Sequence, residues 1–94
     1  MAHAALITVD NRGEDPEEGK RGLREELAPA LRELQGFRSV LLMTAYERGR
    51  GLGVVVLETK EQAEQLVEAF AVGSAIHPGV TVTAAEVMEV SATA

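Results

Sequence analysis

The sequence predicts an α+β fold, on three observations. Strand-like and helix-like runs follow one another in the order strand, helix, strand, strand, helix, strand. Both helical runs are amphipathic. The two middle strands, built around Val40-Leu41-Leu42-Met43 and Val54-Val55-Val56-Leu57, are apolar on both sides.

The first strand covers residues 4–11, where Ala5, Ile7, Val9 and Asn11 share one face and Ala4, Leu6, Thr8 and Asp10 the other. Gly13-Glu14-Asp15-Pro16-Glu17-Glu18 then reads as a turn and helix start. Proline is tolerated in a first turn, and carboxylates suit the positive end of the helix dipole. Helix one is expected to bury Leu23, Leu27, Ala30, Leu31 and Leu34, which recur at helical spacing between charged residues. Pro29 lies inside this pattern. It lacks the amide that would bond the Glu25 carbonyl, so the helix should bend or split there. Gln35-Gly36-Phe37 ends it, with Gly36 suited to a left-handed cap and Phe37 able to fold back on the stripe.

Strand two is expected over residues 38–47 and strand three over residues 51–58, with hairpin glycines in Arg48-Gly49-Arg50-Gly51. Thr59 and Gln62 have the spacing of a capping box for helix two, which should bury Ala63, Leu66, Val67 and Phe70 and end near Gly73. Residues 74–79 read as a loop because the residue before Pro78 is pushed out of helical geometry. The last strand runs from Val80 to Val90. Strict alternation would put Val80, Val82, Ala84, Glu86, Met88 and Val90 on one face.

A split strand-helix-strand unit repeated twice gives a four-stranded antiparallel sheet with both helices on one face, the ferredoxin-like βαββαβ plan. With 94 residues, one domain over residues 1–94 is expected. The helix-free face of such a sheet would meet water, yet the middle strands are apolar there as well. Burying a valine, leucine or methionine is worth roughly 1.5–3 kcal/mol, so a second copy laid sheet to sheet would remove a large exposure cost. A two-fold homodimer through the sheet faces is the expected assembly.

Composition narrows the function classes. There are no cysteines, hence no disulfide framework, thiolate metal site or cysteine nucleophile, and two distant histidines do not make a metal site. Fifteen acidic against nine basic residues give a net charge of −6, which repels nucleic acid and anionic membranes. Strands one and three lack the aromatics of an RNA-recognition module. The amino terminus has no charged leader and its apolar run is too short for a signal peptide, so a cytoplasmic location is expected.

Three stretches carry a family resemblance that extends over nearly the whole chain. They are Gln35-Gly36-Phe37-Arg38-Ser39-Val40-Leu41-Leu42 leading into strand two, Val56-Leu57-Glu58-Thr59-Lys60-Glu61-Gln62-Ala63 leading into helix two, and His77-Pro78-Gly79-Val80 leading into the last strand. In these the chain resembles the dimeric alpha/beta-barrel superfamily, and within it the group named after antibiotic biosynthesis monooxygenases. The resemblance implies a homodimeric protein holding a small apolar or aromatic molecule between sheet and helices. Some members oxidise that molecule with no metal or flavin, using an asparagine on strand one, a tryptophan, and a histidine or arginine near helix two. Asn11 matches the first of these. No tryptophan is present, and His77 lies beyond the helix, so heme degradation and quinone formation are disfavoured.

If the chain is catalytic, Asn11 would orient the substrate by hydrogen bonding, and His77 or Tyr46 would move a proton. Each has a plainer reading: Asn11 as a turn residue satisfying its own backbone, Tyr46 as strand-end packing with a wet hydroxyl, His77 as loop punctuation. Glu86, among apolar neighbours, is expected either to pair with Arg38, Arg48 or Arg50 of a second copy or to reach solvent from an edge strand. No cofactor is expected. Two readings stand together here: a cofactor-independent monooxygenase acting on an aromatic or polyketide-like substrate, and a non-catalytic dimeric ligand-binding or regulatory module.

Overall fold

A computed structural model describes all residues, Met1–Ala94. The elements run β1 (His3–Asp10), α1 (Pro16–Gly22), a wide π turn (Leu23–Leu27), α2 (Ala28–Arg32), β2 (Phe37–Ala45), a 3-10 turn (Tyr46–Arg48), β3 (Arg50–Leu57), α3 (Lys60–Ala69), β4 (Ala75–His77) and β5 (Val80–Glu89). The five strands form one antiparallel sheet in the order β2-β3-β1-β5-β4, curled around the helices. The α+β class is as expected. The strand number is not: the sheet has five strands where four were expected, because residues 75–77 pair with β5 instead of looping. An extended residue before proline suits a strand as well as a loop, and Gly79, at φ 84°, turns the chain back tightly enough for His77 to face Val80.

Helix one survives its proline. Asp15 caps it, accepting a hydrogen bond from the Glu18 amide, and Pro16 occupies the first turn. Ahead of Pro29 the helix widens, and the Ala28 amide donates to the Leu23 carbonyl five residues back. Opening the turn in this way accommodates the missing Pro29 amide and the bulk of its ring, so the rod neither stops nor splits. Leu34 departs from the expected stripe: it lies past the end of α2 and is exposed. On α3 the capping box forms as expected, with Thr59 Oγ1 accepting from the Gln62 amide and Gln62 Oε1 accepting from the Thr59 amide, each at 3.1 Å.

The core joins Ala5, Val55 and Leu57 of the sheet to Leu31, Ala63 and Leu66 of the helices, so the helices cover one sheet face. The opposite face carries rows set by strand register. One runs Leu41, Val54, Leu6, Glu86; another runs Met43, Leu52, Thr8, Ala84. Leu41 is 62% exposed there, and Met43 and Met88 are also open to solvent. The two-sided apolar character of the middle strands therefore has its structural counterpart in a bare, apolar sheet face.

Strict alternation fails in β5. The register shifts between Thr8 and Val9, which pair with Ala84 and Val82, leaving Thr83 as an extra residue. This bulge puts Val80 and Val82 on the buried helix side, and Ala84, Glu86 and Met88 on the open side. A single inserted residue reverses the facing of everything beyond it, and no period-two pattern can carry that information. No helix is long and apolar enough to cross a membrane.

Candidate functional site

A cavity of about 310 Å³ lies between the helical rod of residues 16–32 and the sheet. Its position follows from β3. On the helix-facing side that strand presents Gly51, Gly53, Val55 and Leu57 in turn: Val55 and Leu57 fill their end with core, while the two glycines leave the other end hollow. Ile7, Val9, Leu42 and Thr44 surround this low floor, Leu23, Leu27 and Leu31 form the helical wall, and Phe70 and Val80 also line the cavity. The lining is largely apolar, the usual character of a small-molecule pocket.

Asn11, Glu14 and His77 form a polar end. Asn11 is only 3% exposed and lines the cavity, and neither its Nδ2 nor its Oδ1 has a hydrogen-bond partner. Its backbone is fully used, the amide donating to the Gly49 carbonyl at 3.0 Å and the carbonyl accepting from the Glu14 amide at 3.1 Å. The side chain thus takes no part in the turn, and the plainer reading of Asn11 accounts only for its backbone. A buried amide left unpaired costs about 1–3 kcal/mol, a penalty that a ligand group could offset.

Glu14 is the centre of the polar end. Its side chain is 10% exposed; Oε1 accepts a hydrogen bond from the Tyr46 hydroxyl at 3.3 Å, and Oε2 lies 3.3 Å from His77 Nδ1. His77 Nδ1 is also 3.2 Å from the Pro78 carbonyl. Both neighbours of Nδ1 are acceptors, which assigns the ring proton to Nδ1 and leaves Nε2 as the basic nitrogen of the neutral ring. Burial, followed by the nearby Glu14 carboxylate, raises the Tyr46 phenol above its ordinary pKa, keeping it a neutral donor. Lys20 stands over the Tyr46 ring, its Nζ 5.8 Å from the centroid.

Two glycines make this assembly possible. A β-carbon at Gly19 would collide with the Glu14 carboxylate and the Tyr46 hydroxyl, so only glycine lets them lie against the helix. A β-carbon at Gly79 would strike the backbone of Gly13, so the β4–β5 turn can sit directly on the loop that carries Glu14.

The structure therefore brings Asn11 and His77 to the wall of one cavity, while Tyr46 stands behind Glu14 and touches the site only through that carboxylate. Tyr46 arrives there from the 3-10 turn, since β2 ends at Ala45, short of the expected position 47. Glu86 does not join them. It lies exposed on the open face opposite Leu6, where β5 has no outer neighbour because β4 pairs only with Val80 and Thr81. Sequence reasoning missed Glu14, which reads as one carboxylate of a solvated helix start, and it missed Gly19 and the Gly51/Gly53 floor. The alternation of Gly51 and Gly53 with Val55 and Leu57 was the available signal for the hollow. No known protein family matches the chain, and no curated protein matches it in sequence.

Proposed function

We propose that the protein is a homodimeric small-molecule-binding protein of the dimeric alpha/beta-barrel kind, similar to the antibiotic biosynthesis monooxygenase group, on a ferredoxin-like plan extended by β4. It holds a small, largely apolar or aromatic molecule between sheet and helical rod. The observation that carries this reading is Asn11: a buried amide with both polar atoms free, at the wall of an apolar cavity. A ligand polar group there supplies the missing hydrogen bonds, while the apolar body of the ligand replaces water over the Gly51/Gly53 floor. The second copy covers the open sheet face, on which Leu41, Met43 and Met88 are exposed in the single chain.

The arrangement also supports proton transfer. With Nδ1–H directed at Glu14, the imidazole of His77 is held in the tautomer whose Nε2 accepts a proton, and the carboxylate stabilises the imidazolium that results. The activity proposed is oxidation of the ligand by dioxygen without a cofactor. In such a step a ligand CH2 becomes C=O, one oxygen atom entering the ligand and the other leaving as water with the two hydrogens. A thermal-shift screen of aromatic compounds that carry a benzylic CH2, followed by oxygen-electrode assays on the binders, tests this reading. Binding with oxygen uptake that His77→Ala abolishes supports the enzyme. Binding without uptake assigns the non-catalytic module, and the absence of any binder overturns the pocket reading altogether.

A further inference from the structure

The polar end of the cavity is rich in acceptors and poor in donors. The charged side chains that line the cavity are Glu14, Glu18 and Glu26, joined by His77, and no lysine or arginine lines it. Glu18 is committed to Arg21 at 2.9 Å, an exposed pair. Glu14 is enclosed, and its two oxygens use only the Tyr46 hydroxyl and His77 Nδ1, leaving further lone pairs free. The Tyr46 hydroxyl is spent on Glu14, and His77 with its proton on Nδ1 offers an acceptor at Nε2. Asn11, buried and unpartnered, adds one more acceptor at Oδ1 and a spare donor at Nδ2, and the Thr44 hydroxyl on the lining can donate or accept.

Resting on the pocket reading above, we propose that this site selects its ligand by charge: it takes an apolar molecule bearing an amine or a hydroxyl, and rejects the matching carboxylate or phosphate. A ligand N–H or O–H gives the free acceptors of Glu14 and Asn11 a partner. An anion at the same place meets Glu14 across an apolar, poorly screening lining and finds no cationic side chain there, only the neutral donors of Asn11 and Thr44. The overall charge of −6 opposes the approach of an anion as well.

The test is titration calorimetry at mildly alkaline pH with three probes sharing one apolar body: 1-naphthylmethylamine, 1-naphthylmethanol and 1-naphthoate. The amine and the alcohol are expected to bind, with the carboxylate at least about tenfold weaker. In Glu14→Gln the advantage of the amine over the alcohol should fall about tenfold, with the alcohol itself changed less than about threefold. A carboxylate that binds as well as the amine overturns charge selection while leaving the pocket reading intact, and so does an amine advantage that persists in Glu14→Gln. Heat from none of the three overturns the pocket reading and this inference with it. The wild-type comparison decides the matter even if Glu14→Gln fails to fold.

Discussion

Glu14 Oε2 and His77 Nδ1 lie 3.3 Å apart, although 62 positions of sequence separate the two residues. The contact joins the loop after β1 to the β4–β5 turn at the polar end of the cavity, and the Tyr46 hydroxyl reaches the other oxygen of the same carboxylate. A helix-start carboxylate thereby becomes the group that holds two of the three candidate site residues in place.

Tyr46 is the only tyrosine, and the chain has no tryptophan, so absorbance at 295 nm follows its ionisation directly. Its midpoint should lie above the ordinary value of about 10. Glu14→Gln should lower that midpoint without restoring it fully, since burial is the larger cause. The sign for stability follows from the raised value. Tyr46 contributes fully below the unfolded-state pKa, and its contribution is lost as pH rises through the folded-state pKa. The stability advantage of wild type over Tyr46→Phe should therefore shrink in alkaline melts above about pH 10.

Gly19→Ala should part Tyr46 from Glu14. At an ordinary helix position the exchange would gain roughly 0.5–1 kcal/mol. Here the new methyl pushes aside the Glu14 carboxylate and the Tyr46 hydroxyl, the movable ends of their side chains, so that gain should be largely cancelled in urea unfolding. The Tyr46 titration should move toward its ordinary value in the same variant, which separates a local clash from a general loss of helix stability.

Asn11→Leu should raise stability and remove binding together. It replaces a buried amide without partners by an apolar group of similar size, which is worth about 1 kcal/mol or more in the ligand-free protein. Unfolding by urea and ligand titration on the same preparation check both halves. A variant less stable than wild type would show that the Asn11 side chain has a structural partner after all.

On the proposed dimer, wild type should sediment at twice the 10.0 kDa chain mass. Leu41→Glu should sediment as a monomer, because Leu41 is the most exposed large hydrophobic residue in the rows of the open sheet face. A carboxylate there costs a lone chain at most about 0.5 kcal/mol but would be buried without a partner in the dimer. Unchanged sedimentation would place the subunit contact elsewhere.

Much of the fold was legible in the sequence because local chemistry decides it. The Thr59/Gln62 capping box, the Gly36 turn, the helical spacing of Leu27 and Leu31, and the two-sided apolarity of residues 40–43 and 54–57 each depend on neighbours a few positions away. What sequence spacing does not contain is how one strand settles against the next. The bulge at Thr83 and the pairing of residues 75–77 arise from register between distant segments, which is why the faces of β5 and the number of strands were misread.

The same division holds at the site. Asn11, Tyr46 and His77 could be singled out by residue type alone, since amide, phenol and imidazole are the groups able to hydrogen-bond a ligand or carry a proton. That Tyr46 and His77 meet at Glu14, on the loop that follows Asn11, was decided by tertiary packing: Gly19 leaves room on the helix, and Gly79 lets one turn rest on the backbone of another. A missing side chain has no chemistry of its own to read in a sequence. Its effect exists only once the chain has folded and something else occupies the space.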